Sequence, residues 1–199
     1  MKIEIEFTES LLGTLSGNPA VAKEFILSKH PSGIPQEDEL ASLPPEEAVE
    51  KTSTIHRRNT EGKVVIYDYQ WKGFLKEACE AMIGTGTMTQ KELSDVRLTR
   101  YLYKKTIDQL VFVNPRMTIV EGTITGFLER PLRGQTMRGE RISLARSEQV
   151  AAGAKCKIDI TWMNKNLEPF IEQWLNYGIL KGMLQWRSGG YGRFLWKKV

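Results

Sequence analysis

Residues 1–7, M-K-I-E-I-E-F, alternate polar and apolar positions at period two, which predicts an opening strand with one wet face. A helix-like piece runs from Pro19 to Lys29. The chain then turns rich in proline and acid through H-P-S-G-I-P and Q-E-D-E-L-A-S-L-P-P-E-E. That texture predicts a surface insertion over 17–62, set into a single domain spanning 1–199. K-V-V-I-Y-D-Y (63–69) is β-branched and aromatic and reads as a strand. Beyond it, Trp71, Phe74, Leu75, Ala78, Cys79 and Met82 recur at helical spacing, with Gly84 and Gly86 closing the helix.

Residues 89–106 read as a second helical segment. I-D-Q-L-V-F-V then returns to strand character, and Pro115 marks a strand end or edge. Residues 124–148 predict a long β-hairpin whose tip lies near R-G-Q-T-M-R-G-E. K-C-K-I-D-I-T-W (155–162) alternates cleanly as a strand. Leu167, Phe170, Ile171, Trp174, Leu175 and Ile179 share one helical stripe, and R-F-L-W-K-K-V is a final strand. With the insertion and hairpin set aside, the order is strand, helix, strand, strand, helix, strand. That is the split βαβ arrangement, an α+β, ferredoxin-like (RRM-like) core. Both helices pack on one face of an antiparallel sheet, and the other face is the default place for a partner.

Composition adds limits. With 41% hydrophobic and 26% charged residues, the 199-residue chain resembles an ordinary globular protein able to bury a core. No apolar run approaches the roughly 18 residues of a membrane span, and the N-terminus lacks a secretion signal's long apolar stretch. The expected compartment is the cytoplasm of a bacterial or phage-infected cell, with no membrane partner. Cys79 and Cys156 stand 77 positions apart without a ligand cluster, so they are expected as buried free thiols.

Charge changes the picture more. Residues 1–62 hold 6 Lys/Arg against 11 Asp/Glu, a net of −5, while the remainder holds 22 against 13, a net of +9. From Lys181 onward there are five basic residues and no acidic ones. A basic region confined to part of a chain is the footprint of a polyanion binder. Arg130, Arg133, Arg138, Arg141 and Arg146 put five arginines and no lysine into 17 positions of the hairpin. Arginine favours bidentate phosphate contact and stacking; the plainer reading is an exposed ribbon charged against edge aggregation. Lys72 and Lys76 share a face of the first long helix. Gly73 between them permits either close packing on the sheet or close approach of an anion. L-Q-W-R-S-G-G-Y-G-R-F (184–194) interleaves Trp186, Arg187, Gly189, Gly190, Tyr191, Gly192 and Arg193, the residue types that hold phosphates and stack on bases.

Catalysis has thinner support. His56, in T-I-H-R-R, is a candidate general base beside Arg57 and Arg58. No partner of fixed spacing accompanies it, and a surface histidine beside solvated arginines is the plainer account. No metal motif is present and no cofactor is implied.

Two stretches carry a family resemblance. The CRISPR-associated RAMP superfamily has ferredoxin-like cores, and its backbone-type subunits coat a guide RNA. They commonly carry I-x-G-S-S-L-K-G opening the first helix and G-G-x-x-x-x-G-x-G-R before the last strand. Here Y-D-Y-Q-W-K-G-F-L-K-E-A resembles the first, with Gly73, Leu75 and Lys76 matching while the serines are replaced. G-M-L-Q-W-R-S-G-G-Y-G-R-F resembles the second through Gly182, Arg187, Gly190, Gly192 and Arg193. The match covers about a quarter of the chain, in the family's order. The hairpin lies where such subunits carry a thumb-like projection. The chain is also similar to small phage proteins that carry E-R-P-L-R-x-Q-T and G-E-R-x-x-L-A-R-S-E.

The resemblance implies non-catalytic binding of single-stranded nucleic acid, RNA rather than DNA, with copies associating into an oligomer or filament along the strand. Lys72, Lys76, the hairpin arginines, Arg187 and Arg193 would hold phosphates, and Trp186 and Tyr191 would stack. Two alternatives stay open. One is a phage anti-defence protein that mimics or binds a CRISPR-type protein partner. The other is a metal-independent RNA-processing endonuclease using His56.

Overall fold

The computed structural model describes residues 1–28, 53–86, 90–137 and 139–199, with the backbone alone at Gln90, Gln135, Thr136 and Arg141. The alternating strands form as their patterns require. β1 (Lys2–Phe7) lies between β11 (Lys155–Trp162) and β12 (Phe194–Lys198), and β7 (Val111–Asn114) pairs with the far side of β11. All three pairings are antiparallel, in the order β12-β1-β11-β7. Ile3, Ile5, Phe7, Cys156, Ile158, Ile160, Val111, Val113 and Phe194 point inward from it and are buried.

Two helices cover that inner face. α2 (Asp68–Thr85) buries Trp71, Phe74, Leu75, Ala78 and Cys79, and α5 (Glu168–Lys181) buries Ile171, Trp174 and Leu175. α5 approaches the sheet closely at Gly178, where an added Cβ would fall 2.2 Å from the Phe194 ring. Apolar contact on this scale, about 25 cal/mol per Å² removed from water, is what holds the layers together. Both cysteines are free and buried, and burial pushes their thiols up to about 12.

The outer sheet face, the default place for a partner, carries paired charges. Glu4 meets Lys197 at 2.8 Å and Lys157 at 3.6 Å, and Glu6 meets Lys155 at 3.2 Å. The hydrogen bond from Lys197 holds the Glu4 carboxyl below its ordinary value. Cross-strand pairing thus satisfies these charges within the sheet.

Outside this sheet the strands are short. β2 (Leu11–Leu12), β3 (Leu15–Ser16), β4 (Ser53–Ile55) and the long pair β9 (Ile124–Thr136) and β10 (Gly139–Val150) make a second sheet. β5 (Arg57–Arg58), β6 (Val64–Tyr67) and β8 (Met117–Ile119) make a third. The segment read as a surface insertion over 17–62 therefore contributes α1 (Pro19–Ser28), β4 and β5, and buries Ala22, Ile26, Ile55, His56 and Arg57. The stretch 29–52, which includes His30, lies outside the described residues.

Two element readings change. Residues 89–106 divide into α3 (Gln90–Asp95) and α4 (Tyr103–Leu110), and 107–110 continue α4 instead of starting a strand. Tyr103, Thr106 and Ile107 explain why: spaced i, i+3, i+4, they bury one helical stripe. Gly84 stays within α2, which ends at Gly86 in the left-handed conformation.

Candidate nucleic-acid interface

Segments far apart in sequence converge on the turn between α5 and β12. Gln185 anchors it: its Oε1 accepts from Thr54 Oγ1 on β4 at 2.8 Å and from Ser147 Oγ on β10 at 3.0 Å. Leu184 and Trp186, on either side, hold positive φ of 64° and 58°. Non-glycine residues in this region carry roughly 1–2 kcal/mol of strain each. Such strain persists only where surrounding contacts impose it, and it concentrates at working sites. Here the anchored Gln185 side chain sits between the two.

The strained turn presents side chains. Trp186 packs edge-on to Tyr191 with ring centroids 6.1 Å apart, and the Arg130 guanidinium from β9 lies 5.2 Å from the Trp186 centroid. That is cation–π distance. Arg187 reaches Glu77 on α2 at 2.5 Å, which ties the turn to the helix. Arg193 is exposed and lies against Gly190, where an added Cβ would sit 3.4 Å from its Cζ. Trp186, Arg187 and Tyr191 are partly exposed.

The three candidate glycines differ. Gly192 is structural: its φ is +70°, and an added Cβ would fall 2.2 Å from the Met183 carbonyl oxygen. Its carbonyl accepts from Met183 N–H at 3.0 Å, closing the loop onto the end of α5. Gly190 also has positive φ, +88°. Gly189 is exposed, and its added Cβ would lie 3.2 Å from the tip of Arg130 and in ordinary contact with the Tyr191 ring at 3.4 Å.

On α2, Gly73 is exposed and an added Cβ would meet nothing within 4 Å. Close packing on the sheet therefore does not account for it. Lys76 pairs with Asp108 of α4 at 2.6 Å; Lys72 donates to the Asp108 carbonyl at 3.4 Å, its ammonium 5.0 Å from the Phe112 centroid. These two lysines are engaged by α4 and β7, whereas Glu77, four residues after Gly73, meets the turn.

β9 and β10 pair antiparallel along their length, so opposed residues share a face. Arg130 sits opposite Ala145 and Leu128 opposite Ser147, which puts Arg130 on the face turned to Gln185 and Trp186. Arg133 and Arg146 occupy the other face. Arg133 pairs with Glu140 at 3.8 Å; Arg146 lies 3.6 Å from Glu129 and 4.5 Å from the Phe127 ring centroid. Arg141 is described by its backbone, paired with Gly134, and Arg138 lies outside the described residues.

His56 is not at the surface. It is 3% exposed, its Nε2 is 3.2 Å from the Leu11 carbonyl, and its backbone N–H donates to Glu148 Oε2 at 2.9 Å. Burial, with a smaller push from the charge of nearby Arg58, which pairs with Glu148, lowers its pKa to about 4 against the opposing hydrogen bond to Leu11. Arg57 is equally buried, its guanidinium 5.1–5.7 Å from the rings of Phe25, Tyr67 and Tyr69. Neither side chain is presented to a substrate. Among the described residues no group of three or more His, Cys, Asp or Glu could hold a metal.

Sequence reasoning missed Thr54, Glu77, Ser147 and Gln185. Single polar residues, neutral or charged like Glu77, carry no pattern of their own, and only tertiary pairing reveals their roles. No described helix is long and apolar enough to cross a membrane.

No protein-family profile matches the sequence, and no curated protein matches it. Solved structures do match in fold. A chain of the Type III-B Cmr-beta complex bound to cognate target RNA, seen by cryo-EM, aligns over 99% of this chain with a TM-score of 0.52 at 12% identity. This chain spans 58% of that one. A chain of a Type IV-B CRISPR complex aligns over 98% of this chain and 88% of its own, with a TM-score of 0.50 at 9% identity. The protein thus has a mixed α+β fold like that of CRISPR complex subunits.

Proposed function

We propose that the protein binds single-stranded nucleic acid, RNA in preference to DNA, with a RAMP-like, ferredoxin-like core as its platform. The β12-β1-β11-β7 order with α2 and α5 on one face supports that core. The observation that carries the function is the strained turn at Leu184–Arg193. It gathers Arg130, Trp186, Arg187, Tyr191 and Arg193 beside an exposed helical glycine that packing does not require. Arginines supply phosphate contacts, the two rings supply stacking, and Gly73 lets a sugar–phosphate backbone lie against α2. The likeness to a chain from an RNA-bound complex agrees with this reading.

Copies would line a strand, the acidic 1–62 part of one meeting the basic remainder of the next. Cleavage by His56 has less behind it, because that ring is buried and held neutral. The fold likeness also favours a second reading, a mimic or binder of a CRISPR subunit. A protein partner retained after nuclease treatment separates it from the first.

Gly73→Ala tests the role of α2. An exposed helical glycine costs about 1 kcal/mol against alanine, so the variant should be more stable. If a nucleic-acid backbone lies against Gly73, the same variant binds single-stranded RNA several-fold more weakly. Higher stability with unchanged affinity would remove α2 from the interface.

A further inference from the structure

A second basic and aromatic surface lies outside the turn, on the segment joining α3 to α4. Arg97, Arg100, Lys104 and Lys105 are exposed within nine residues, and none forms an ion pair with a described residue. Tyr101, in their midst, is 92% exposed. Solvated lysines would explain charge alone. They do not explain a fully displayed ring flanked by cations. Arg97 has φ +58°; Leu184 and Trp186 are the other non-glycine residues with positive φ among the described residues. That conformation caps the C-terminus of α3, where Arg97 N–H donates to the Ser94 carbonyl at 3.0 Å and Leu98 N–H to the Leu93 carbonyl at 2.7 Å; the Arg97 carbonyl accepts from Thr106 Oγ1 at 2.7 Å, which ties the segment to α4.

Beside Tyr101 opens a cleft of about 810 Å³. Ile83 and Leu93 give its lining apolar surface, beside Glu80, Arg100 and Tyr101. It is large enough for a base with its sugar.

One face of α2 links the cleft to the candidate interface. Gly73, Glu77, Glu80 and Gly84 fall at i, i+4, i+7 and i+11 of α2, hence on one stripe. The stripe runs about 16 Å at 1.5 Å per residue. Its acids are compensated: Glu77 pairs with Arg187, and the Glu80 charge acts on Lys104. Gly73 and Gly84 leave both ends free of side chains.

We propose that this cleft is a second nucleotide-binding site. A strand leaving the Leu184–Arg193 turn follows the α2 stripe and seats a base on Tyr101, with its phosphates held by Arg97, Arg100 and Lys104. An acidic protein would be drawn by the same charge, but an exposed ring beside a partly apolar cleft fits a planar base. The proposal rests on the nucleic-acid reading above.

The test compares affinities for a 20-nucleotide single-stranded RNA. Tyr101, Arg100 and Lys104 are exposed, so their substitution spares the core. Tyr101→Ala should weaken binding about 5- to 150-fold, the range one stacked base supplies, and Tyr101→Phe should restore it. Arg100→Ala with Lys104→Ala should reduce the log–log salt slope by about 1.4, or 0.7 per phosphate. A strand carrying 4-thiouridine should crosslink to 97–105. If Tyr101→Ala binds like wild type while Arg193→Ala weakens binding, the second site is wrong and the first stands. If wild type binds no RNA, both readings fall. A nuclease-resistant protein partner lost on Tyr101→Ala would make the surface a protein contact and overturn the proposal.

Discussion

Gly189 and Gly192, three positions apart in one turn, answer to different constraints. Gly192 combines a left-handed backbone with a carbonyl oxygen 2.2 Å from where a Cβ would go. Gly192→Ala should therefore unfold the turn and lower the melting temperature by several degrees, a loss read by calorimetry. Gly189 faces solvent, and the added methyl displaces only the end of Arg130. Gly189→Ala should leave the melting temperature nearly unchanged while weakening RNA binding. Equal thermal losses for the two variants would reduce the whole stretch to a chain reversal. The sequence displayed all three glycines of this turn alike; only their surroundings separate them.

The elements around His56 set a pH dependence. The buried ring meets Leu11 on β2, its backbone meets Glu148 on β10, and Arg58 on β5 closes the network through the same carboxylate. The folded pKa of about 4 lies below the ordinary 6.5. Above pH 6.5 the ring is neutral whether folded or not, and its stability contribution is complete. Between 6.5 and 4 the unfolded chain takes a proton that the folded chain refuses, so stability falls with pH. Between pH 7.5 and 5 this amounts to about 2 kcal/mol. Denaturant titrations should show that loss in the wild type and a smaller one in His56→Gln. Parallel losses would mean that His56 titrates normally.

Legibility also divides by element. β1, β11 and the apolar stripes of α2 and α5 were readable because their periods of two and 3.6 repeat over whole elements. β2, β3, β4 and β5 were not, since two or three residues hold no period and their partners lie far along the chain. Thr54 beside Ser147 and Gln185 is the clearest case. The 107–110 stretch misled because β-propensity in I-D-Q-L-V-F-V competes with a helical stripe already begun at Tyr103. Of the candidate site, the aromatic and arginine members were visible by type. Their grouping around Gln185, and the diversion of Lys72 and Lys76 to Asp108 and Phe112, required the fold.

At the scale of the whole molecule, charge and fold agree on where a polyanion would lie. The outer sheet face matches its lysines with Glu4 and Glu6, and the acidic residues concentrate in 1–62. Exposed or half-exposed arginine gathers instead where the C-terminal turn meets β9 and α2, and along 97–105. The salt dependence of binding to single-stranded RNA tests this account most directly. Phosphate contacts from Arg130, Arg187 and Arg193, with those at Arg97 and Arg100, predict that log affinity falls linearly with log salt, with a slope of about −2 to −4. A flat response, or no binding at low salt, would contradict it.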